Sequence, residues 1–235
     1  MDTEKNDNVI TIFIAGDSTA ANKTPEVYPE SSWGEAIGQF FNEKVRISNH
    51  AMNGRSSKSF VDEGRLQAIL DQIKEGDYLF IQFAHNDEKE QDPTRYTDPR
   101  TTYKQYLRMY IDGARAKRAI PVLLTPVNRR FFENGKIINT HREYYRAMKE
   151  LAEEMSVPLI DVCEKSRVLF ERLGEEKTKE IFLWVKPGEY PNYPNGKQDN
   201  THFSTKGAVE IAKLVVDGIK NDIDSPLKEY LKDNA

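Results

Sequence analysis

The sequence predicts an α/β protein with three layers, in which helices cover both faces of a five-stranded parallel sheet. Short runs of β-branched and aromatic residues alternate with longer amphipathic runs along the 235 residues, as strands and helices alternate in a doubly wound sheet. A chain of 235 residues should bury roughly 70% or more of the surface that its unfolded form exposes, so it can fold around its own core without a disulfide or metal. No repeat, low-complexity tract or linker interrupts the alternation, so we expect one domain over residues 1–235.

Each predicted strand is an apolar run bounded by polar or turn-forming residues. In chain order the strands are Val9–Ala15, Lys44–Asn49, Asp77–Phe83, Ile120–Thr125 and Val157–Val162. The predicted helices repeat apolar residues at spacings of three and four, over Ser32–Asn42, Asp62–Lys74, Thr101–Lys117, Thr140–Ser156 and Thr205–Lys220. Trp184–Asn200 contains three prolines and two glycines without periodicity, so it predicts a long loop before the last helix.

The charge pattern argues against two classes of partner. Lys and Arg number 34 against 38 Asp and Glu, and the two signs are interspersed with a formal net charge of −4. Because there is no basic excess to neutralise phosphates or anionic lipids, we expect neither nucleic acid nor a membrane as partner. The oligomeric state stays open.

The N-terminal segment and the cysteine content bear on location. Met1–Asn8 has neither a basic n-region nor an apolar h-region, and no apolar run is long enough to span a bilayer. Cys163 has no second cysteine with which to form a bridge. These observations predict a cytoplasmic protein.

The sequence also predicts a reaction that needs no cofactor. The four histidines, His50, His85, His141 and His202, show neither H-x-H nor H-x-x-x-H spacing, so no metal is expected. A P-loop, a G-x-G-x-x-G fingerprint and a G-x-S-x-G elbow are all absent from the sequence.

Polar clusters follow the first three predicted strands, and another precedes the last helix. Reacting groups of open α/β sheets gather in the crevice at the carboxyl ends of the strands. The clusters are Gly16-Asp17-Ser18-Thr19, Asn53-Gly54-Arg55-Ser56-Ser57, His85-Asn86-Asp87 and Asp199-Asn200-Thr201-His202. Each has an ordinary explanation as a turn, strand end or helix cap, but together they predict one site.

Ser18, His202 and Asp199 provide the parts of a nucleophilic ester hydrolysis. Ser18 follows an apolar strand through a Gly-Asp turn, which would lift its hydroxyl above the sheet. His202 is the best base because an imidazole accepts and returns protons near neutral pH. Asp199 lies three residues earlier, where its carboxylate could orient the ring.

Three donors could stabilise the oxyanion of such a reaction. They are the backbone N–H groups of Ser18 and Gly54 and the side-chain amide of Asn86. Glycine at position 54 lets the backbone approach a substrate without a Cβ in the way.

These motifs resemble those of the SGNH (GDSL-like) hydrolase superfamily. The segments GDSTA at 16–20, NGRSSKSF at 53–60, HND at 85–87 and DNTHFSTKGA at 199–208 are most similar to the rhamnogalacturonan acetylesterases. The resemblance extends from about Ile12 to Val216 and implies a flavodoxin-like fold in a bacterial, intracellular member of that branch. It also implies Ser18 as nucleophile, Gly54 and Asn86 as oxyanion donors, His202 as base and Asp199 as its partner.

The resemblance implies an acetylated, pectin-derived oligosaccharide as substrate. Arg55 could bind a galacturonate carboxylate, or it could be an ordinary surface or capping arginine. Trp184 and Tyr190 could stack on sugar rings, or they could simply pack the late loop.

The leading hypothesis is therefore a serine carbohydrate esterase that removes O-acetyl groups from rhamnogalacturonan-type oligosaccharides. One alternative is a general short-chain esterase, lysophospholipase or thioesterase on the same scaffold. Another is a catalytically silent carbohydrate-binding protein.

Overall fold

The computed structural model describes residues 9–233, in which ten strands, seven α-helices and three 3₁₀ turns occur. The strands are β1 (Ile10–Gly16), β2 (Glu30–Ser31), β3 (Val45–Asn49), β4 (Tyr78–Gln82), β5 (Ile120–Leu124), β6 (Phe132–Glu133), β7 (Lys136–Ile137), β8 (Leu159–Ile160), β9 (Phe182–Val185) and β10 (Lys197–Ser204). The helices are α1 (Trp33–Ala36), α2 (Ser57–Asp62), α3 (Arg65–Leu70), α4 (Thr102–Ala116), α5 (Arg142–Met155), α6 (Val162–Thr178) and α7 (Thr205–Asn221). The 3₁₀ turns span Pro25–Val27, Ile37–Phe40 and Pro226–Tyr230. The segment Met1–Asn8, on which the expected location partly rests, lies outside the described residues.

The main sheet confirms the predicted five-stranded parallel arrangement. Its order is β3-β1-β4-β5-β8, with every neighbouring pair parallel. Counted within this sheet, the order is 2-1-3-4-5, which is the flavodoxin-like order of doubly wound folds. The order reverses at β1, so a crevice opens at the carboxyl ends of β1 and β4.

Helices pack on both faces of this sheet because its strands are apolar on both sides. Along β1, Ile12 and Ile14 enter one buried cluster, whereas Phe13 and Ala15 enter the other. The first cluster includes Trp33 of α1 with residues of α6 and α7, and the second includes residues of α3, α4 and α5. The three-layer prediction is therefore confirmed.

Two predicted helices are shorter than expected. The helix predicted over Asp62–Lys74 is observed only as α3, because α2 ends at Asp62 and Gly64, in a left-handed conformation with φ +73°, separates the two helices. Glycine adopts this conformation without the steric cost that other residues incur. The helix predicted over Ser32–Asn42 has only four α-helical residues and continues as a 3₁₀ turn.

The structure also contains elements that the sequence analysis missed. Helix α6 is amphipathic, with Val162, Leu169 and Phe170 buried at helical spacing, so its pattern was visible in the sequence. An antiparallel sheet of order β2-β10-β9 occupies the ends of the predicted Trp184–Asn200 loop, so that prediction was wrong at both ends. Strand β10 has the sequence KQDNTHFS, which lacks the apolar alternation of a typical strand. It is extended because it pairs with β9 and β2, and the sequence pattern therefore did not predict it. In the described range, no helix combines the length and hydropathy of a membrane-crossing segment.

Candidate active site

A tight turn after β1 places Ser18 at the carboxyl edge of the main sheet. The buried Asp17 carboxylate accepts from the Thr19 backbone N–H at 2.9 Å and from the Thr19 hydroxyl at 2.8 Å. The backbone carbonyl of Asp17 accepts from the N–H of Ala20 at 3.1 Å. These bonds end the strand and turn Ser18 away from the sheet.

His85, at the end of β4, supports the same turn from the neighbouring strand. Its Nδ1 lies 3.2 Å from the second carboxylate oxygen of Asp17. Burial lowers the pKa of His85 to about 4, so the ring is neutral at pH 7 and donates to Asp17 through Nδ1–H. Burial alone would raise the pKa of Asp17, but the contacts with His85 and Thr19 lower it to about 2.

A continuous chain of hydrogen bonds joins Ser18, His202 and Asp199. The Ser18 hydroxyl oxygen lies 3.0 Å from Nε2 of His202, and the opposite ring nitrogen, Nδ1, lies 2.8 Å from an Asp199 carboxylate oxygen. The other Asp199 oxygen accepts from the N–H groups of Thr201 at 2.8 Å and His202 at 2.9 Å. These two backbone bonds form an Asx turn, and this turn aims the carboxylate at the ring.

The pKa of Asp199 lies below its ordinary value. Burial would raise this pKa, but the His202 contact and the two backbone N–H donors outweigh burial. Asp199 is therefore a charged acceptor, which favours the ring tautomer that carries hydrogen on Nδ1 and leaves Nε2 free to accept a proton from Ser18.

A bulge in β10 directs Asp199 and His202 toward Ser18. Strand β10 pairs with β9 at Gln198–Trp184 and again at Phe203–Phe182, and the register shifts in between. Over this interval β10 advances by five residues and β9 by two, so three extra residues bend β10. Phe203 is buried, which anchors the end of the bulge in the core.

The three predicted oxyanion donors lie around Ser18. Gly54 occupies a turn with φ +77°. Within the described residues, the N–H groups of Ser18 and Gly54 make no hydrogen bond, so both are available to a ligand. The Asn86 amide nitrogen donates to the Arg55 carbonyl at 3.0 Å, which fixes the amide orientation and leaves its second hydrogen free.

These groups open into one cleft of about 450 Å³. Its lining includes Ser18, Gly54, Asn86 and His202, while Asp199 sits behind the His202 ring. The structure therefore brings together all five residues predicted to take part in catalysis. In the described part of the chain, no group of three or more His, Cys, Asp or Glu side chains is arranged to hold a metal ion.

The predicted substrate-binding residues lie outside this lining. Arg55 lines an adjoining hollow of about 650 Å³ that shares Gly54 with the cleft. Its guanidinium donates to Glu63 at 2.9 Å and to the Asn53 carbonyl at 2.9 Å. The sugar-binding role of Arg55 stays a prediction.

Trp184 and Tyr190 have protein partners. The Trp184 ring contacts two cations, the Arg130 guanidinium and the Lys179 ammonium, each 4.8 Å from its centroid. Tyr190 packs edge-on against Tyr28 with ring centroids 5.7 Å apart. Sugar stacking by these two aromatic residues stays a prediction.

Three cationic residues at the site were missed by the sequence analysis. The Lys23 ammonium donates to the Ser18 carbonyl at 2.6 Å and to the Asn53 side chain at 2.9 Å, and it pairs with Glu30. Lys89 and Arg129 line the cleft itself. They come from loops after different strands, so only the fold brings them together. The sequence offers one indication that Lys89 belongs to the site, which is its position three residues after Asn86.

The fold and the site define a class of protein. A doubly wound sheet with a Ser–His–Asp hydrogen-bond chain and free N–H donors at its carboxyl edge has the parts of a hydrolase that acts on carboxylic esters. The chain belongs to the GDSL-like Lipase/Acylhydrolase family, which matches residues 12–215.

The chain is also similar to individual proteins of known name. The chain is 51% identical over 223 residues to rhamnogalacturonan acetylesterase RhgT of Bacillus subtilis, covering 94% of each chain. It is 30% identical to rhamnogalacturonan acetylesterase of Emericella nidulans, covering 86% of this chain and 81% of the relative. The crystal structure of YxiM from Bacillus subtilis superposes with a TM-score of 0.77 at 29% identity, over 90% of this chain and 56% of that one. Axe2, an acetylxylan esterase of Geobacillus stearothermophilus, shares the fold with a TM-score of 0.64 at 15% identity, over 90% and 96% of the two chains.

Proposed function

We propose that this protein is a serine carbohydrate esterase that removes O-acetyl groups from rhamnogalacturonan-type oligosaccharides. The observation that carries the chemistry is the hydrogen-bond chain from Ser18 through His202 to Asp199 beside two free N–H donors. The substrate class rests on the 51% identity to a rhamnogalacturonan acetylesterase over 94% of both chains.

In the first half-reaction, the Ser18 oxygen attacks the acetyl carbonyl carbon while Nε2 of His202 accepts the hydroxyl proton. Asp199 stabilises the imidazolium that results. The oxyanion accepts hydrogen bonds from the N–H groups of Ser18 and Gly54 and from the Asn86 amide. When the tetrahedral intermediate collapses, the sugar oxygen leaves with the proton from His202 and Ser18 is acetylated.

In the second half-reaction, water replaces the sugar hydroxyl. His202 accepts a proton from water, whose oxygen attacks the acetyl carbonyl. The collapse of the second intermediate returns the proton to the Ser18 oxygen and releases acetate. The neutral His202 ring with hydrogen on Nδ1 is regenerated, so no cofactor enters either half.

The test is acetate release by the wild type and Ser18→Ala from three substrates: acetylated rhamnogalacturonan oligosaccharides, acetylated xylan and 4-nitrophenyl acetate. We expect release from the pectic substrate that Ser18→Ala abolishes while the thermal unfolding midpoint is retained. Ser18-dependent activity on 4-nitrophenyl acetate alone would support Ser18 as the nucleophile and would contradict the proposed oligosaccharide substrate.

The alternative of a general short-chain esterase is tested by an acyl-chain series from acetate to octanoate. A preference for acetyl supports deacetylation, whereas activity that rises with chain length supports a lipase or thioesterase. Sugar binding without any Ser18-dependent hydrolysis would instead indicate a silent carbohydrate-binding protein. The cytoplasmic location stays a prediction, which fractionation of the producing cells would test.

A further inference from the structure

Positive charge exceeds negative charge in the lining of the cleft. Glu30 is the one carboxylate in that lining, and Lys23 neutralises it with a contact of 2.9 Å. Two more cations, Lys89 and Arg129, face the same space; Arg129 pairs with Glu88 outside the lining, so the unbalanced positive charge is that of Lys89. The cleft is therefore a favourable place for an anion.

Arg129 has hydrogen-bond donors to spare. Its NH1 group donates to the Glu88 carboxylate at 3.0 Å and to the Thr140 hydroxyl at 2.7 Å, which holds the guanidinium in place. Within residues 9–233, no acceptor is found for its Nε and NH2 groups. The second oxygen of the Glu88 carboxylate contacts Nδ1 of His141, so this carboxylate is bonded to both Arg129 and His141. A fixed guanidinium with two free N–H directions is suited to a carboxylate.

Lys89 lies near two other cations, Arg95 and Arg129. Its ammonium has no hydrogen bond or ion pair within the described residues. Burial and the positive charges of Arg95 and Arg129 lower the pKa of Lys89 below its ordinary value, and they outweigh the opposite effect of the Asp92 and Asp17 carboxylates. A bound anion would relieve this repulsion.

The position of Lys89 ties these cations to the site of ester cleavage. The Lys89 backbone N–H donates to the Asn86 carbonyl at 3.3 Å, so the ammonium and the oxyanion donor share one turn after β4. Arg129 follows β5, the next strand in the sheet. An anion bound by both would lie in the same 450 Å³ cleft as the Ser18 hydroxyl.

We propose that Lys89 and Arg129 form a carboxylate subsite that binds the acid group of a uronic-acid residue in the ester substrate. This inference rests on the proposed function, since that function supplies an acidic sugar polymer. The subsite would make a neutral acetylated sugar a poorer substrate than an acidic one of the same size. Arg55, assigned to this role from the sequence, would at most contact a more distant residue.

The experiment compares kcat and KM of the wild type, Lys89→Gln and Arg129→Lys on acetylated rhamnogalacturonan oligosaccharides and on 4-nitrophenyl acetate. Lys74→Gln is the matched control, because Lys74 is also exposed but precedes β4 at the opposite edge of the sheet. We expect Lys89→Gln to lower kcat/KM on the acidic substrate about tenfold, mainly through KM. On 4-nitrophenyl acetate the change should be less than about twofold.

Arg129→Lys keeps the charge and loses the planar pair of donors, so a smaller loss in the same direction is expected. Added sodium chloride should reduce kcat/KM of the wild type on the acidic substrate more steeply than that of Lys89→Gln. Equal losses on both substrates, or no loss on either, would overturn the subsite.

A second readout does not depend on the natural substrate. Galacturonate and galactose are compared as inhibitors of 4-nitrophenyl acetate hydrolysis. The subsite predicts stronger inhibition of the wild type by galacturonate, and loss of that preference in Lys89→Gln but not in Lys74→Gln. If the pectic substrate is not deacetylated but this preference holds, the proposed function fails and the subsite stands. Equal inhibition by both sugars overturns the subsite alone.

Discussion

The indole Nε1 of Trp184 donates to the side-chain oxygen of Asn200 at 2.9 Å. The Arg130 guanidinium reaches the same oxygen at 3.3 Å, and the Arg130 backbone N–H donates to the Asn200 carbonyl at 2.8 Å. Asn200 directly follows Asp199 within the bulge of β10. Trp184 and Arg130 therefore hold the bulged segment through Asn200, and neither residue lines the cleft that contains Ser18.

This relationship predicts the effect of Trp184→Phe, which retains an aromatic ring and removes the hydrogen bond. We expect kcat to fall about fivefold with KM changed less than twofold, because the loss of one hydrogen bond of about 1 kcal/mol loosens the Asp199 segment. Steady-state kinetics on 4-nitrophenyl acetate measure it, with Tyr190→Phe as control. A rise in KM for oligosaccharides alone would point instead to sugar stacking by Trp184.

Asn86→Ala tests the oxyanion donors. Because the amide would contact the substrate oxygen mainly when it becomes an oxyanion, kcat should fall about 10²–10³-fold with little change in KM. Asn192→Ala removes an exposed amide that bonds the carbonyls of Pro25 and Tyr28, and it should leave kcat unchanged. A large KM effect of Asn86→Ala would assign this residue to ground-state binding.

The rate should depend on pH through His202, which acts as a base only when it is neutral. The His202 contact and backbone donors hold the pKa of Asp199 low against the opposing effect of burial, so Asp199 stays charged over the assay range. We expect kcat/KM to rise with pH to a plateau. Asp199→Asn should lower kcat on the order of 10³–10⁴-fold, because the favoured tautomer is lost. A flat profile in the wild type would exclude His202 as the base.

His85 makes the folded state sensitive to acid. Burial lowers its pKa from 6.5 to about 4, so the unfolded chain binds the proton more readily in this interval. The free energy of unfolding should therefore fall as pH drops from 6.5 to 4, on the order of 3 kcal/mol from this group. Urea unfolding at several pH values measures the effect, and His85→Gln should flatten it. Asp17 adds a further loss only at lower pH, since its pKa is about 2.

Gly207 lies where α7 approaches the backbone of Ile181. A Cβ at position 207 would stand 1.8 Å from the Ile181 carbonyl oxygen, so Gly207→Ala must displace the helix. We expect a loss of about 3 kcal/mol in the free energy of unfolding, measured by urea denaturation. Gly38→Ala is the control, because its Cβ would make an ordinary 3.4 Å contact with Ile47. Equal stability of the two variants would contradict this packing.

Much of the main sheet was predictable because a strand buried on both faces must be apolar throughout. The predicted Ile120–Thr125 differs from β5 by one residue, and the other four strands were found near their observed positions. Strand β10 was not predictable in this way, since its polar residues are paired by β9 and β2 from distant parts of the chain. The kinked helix α6 had a readable apolar stripe and could have been found.

The sequence by itself determined the fold class and singled out five residues that the structure brings together, because local patterns encode strands and because Ser, His, Asp, Gly and Asn each have a distinct chemical use. The tertiary structure alone decided which cations face the cleft and which aromatic residues support the site. Lys89 and Arg129 are 40 positions apart in sequence. Both residues line the same cleft because β4 and β5 are neighbours in the sheet, and no local sequence pattern encodes this order.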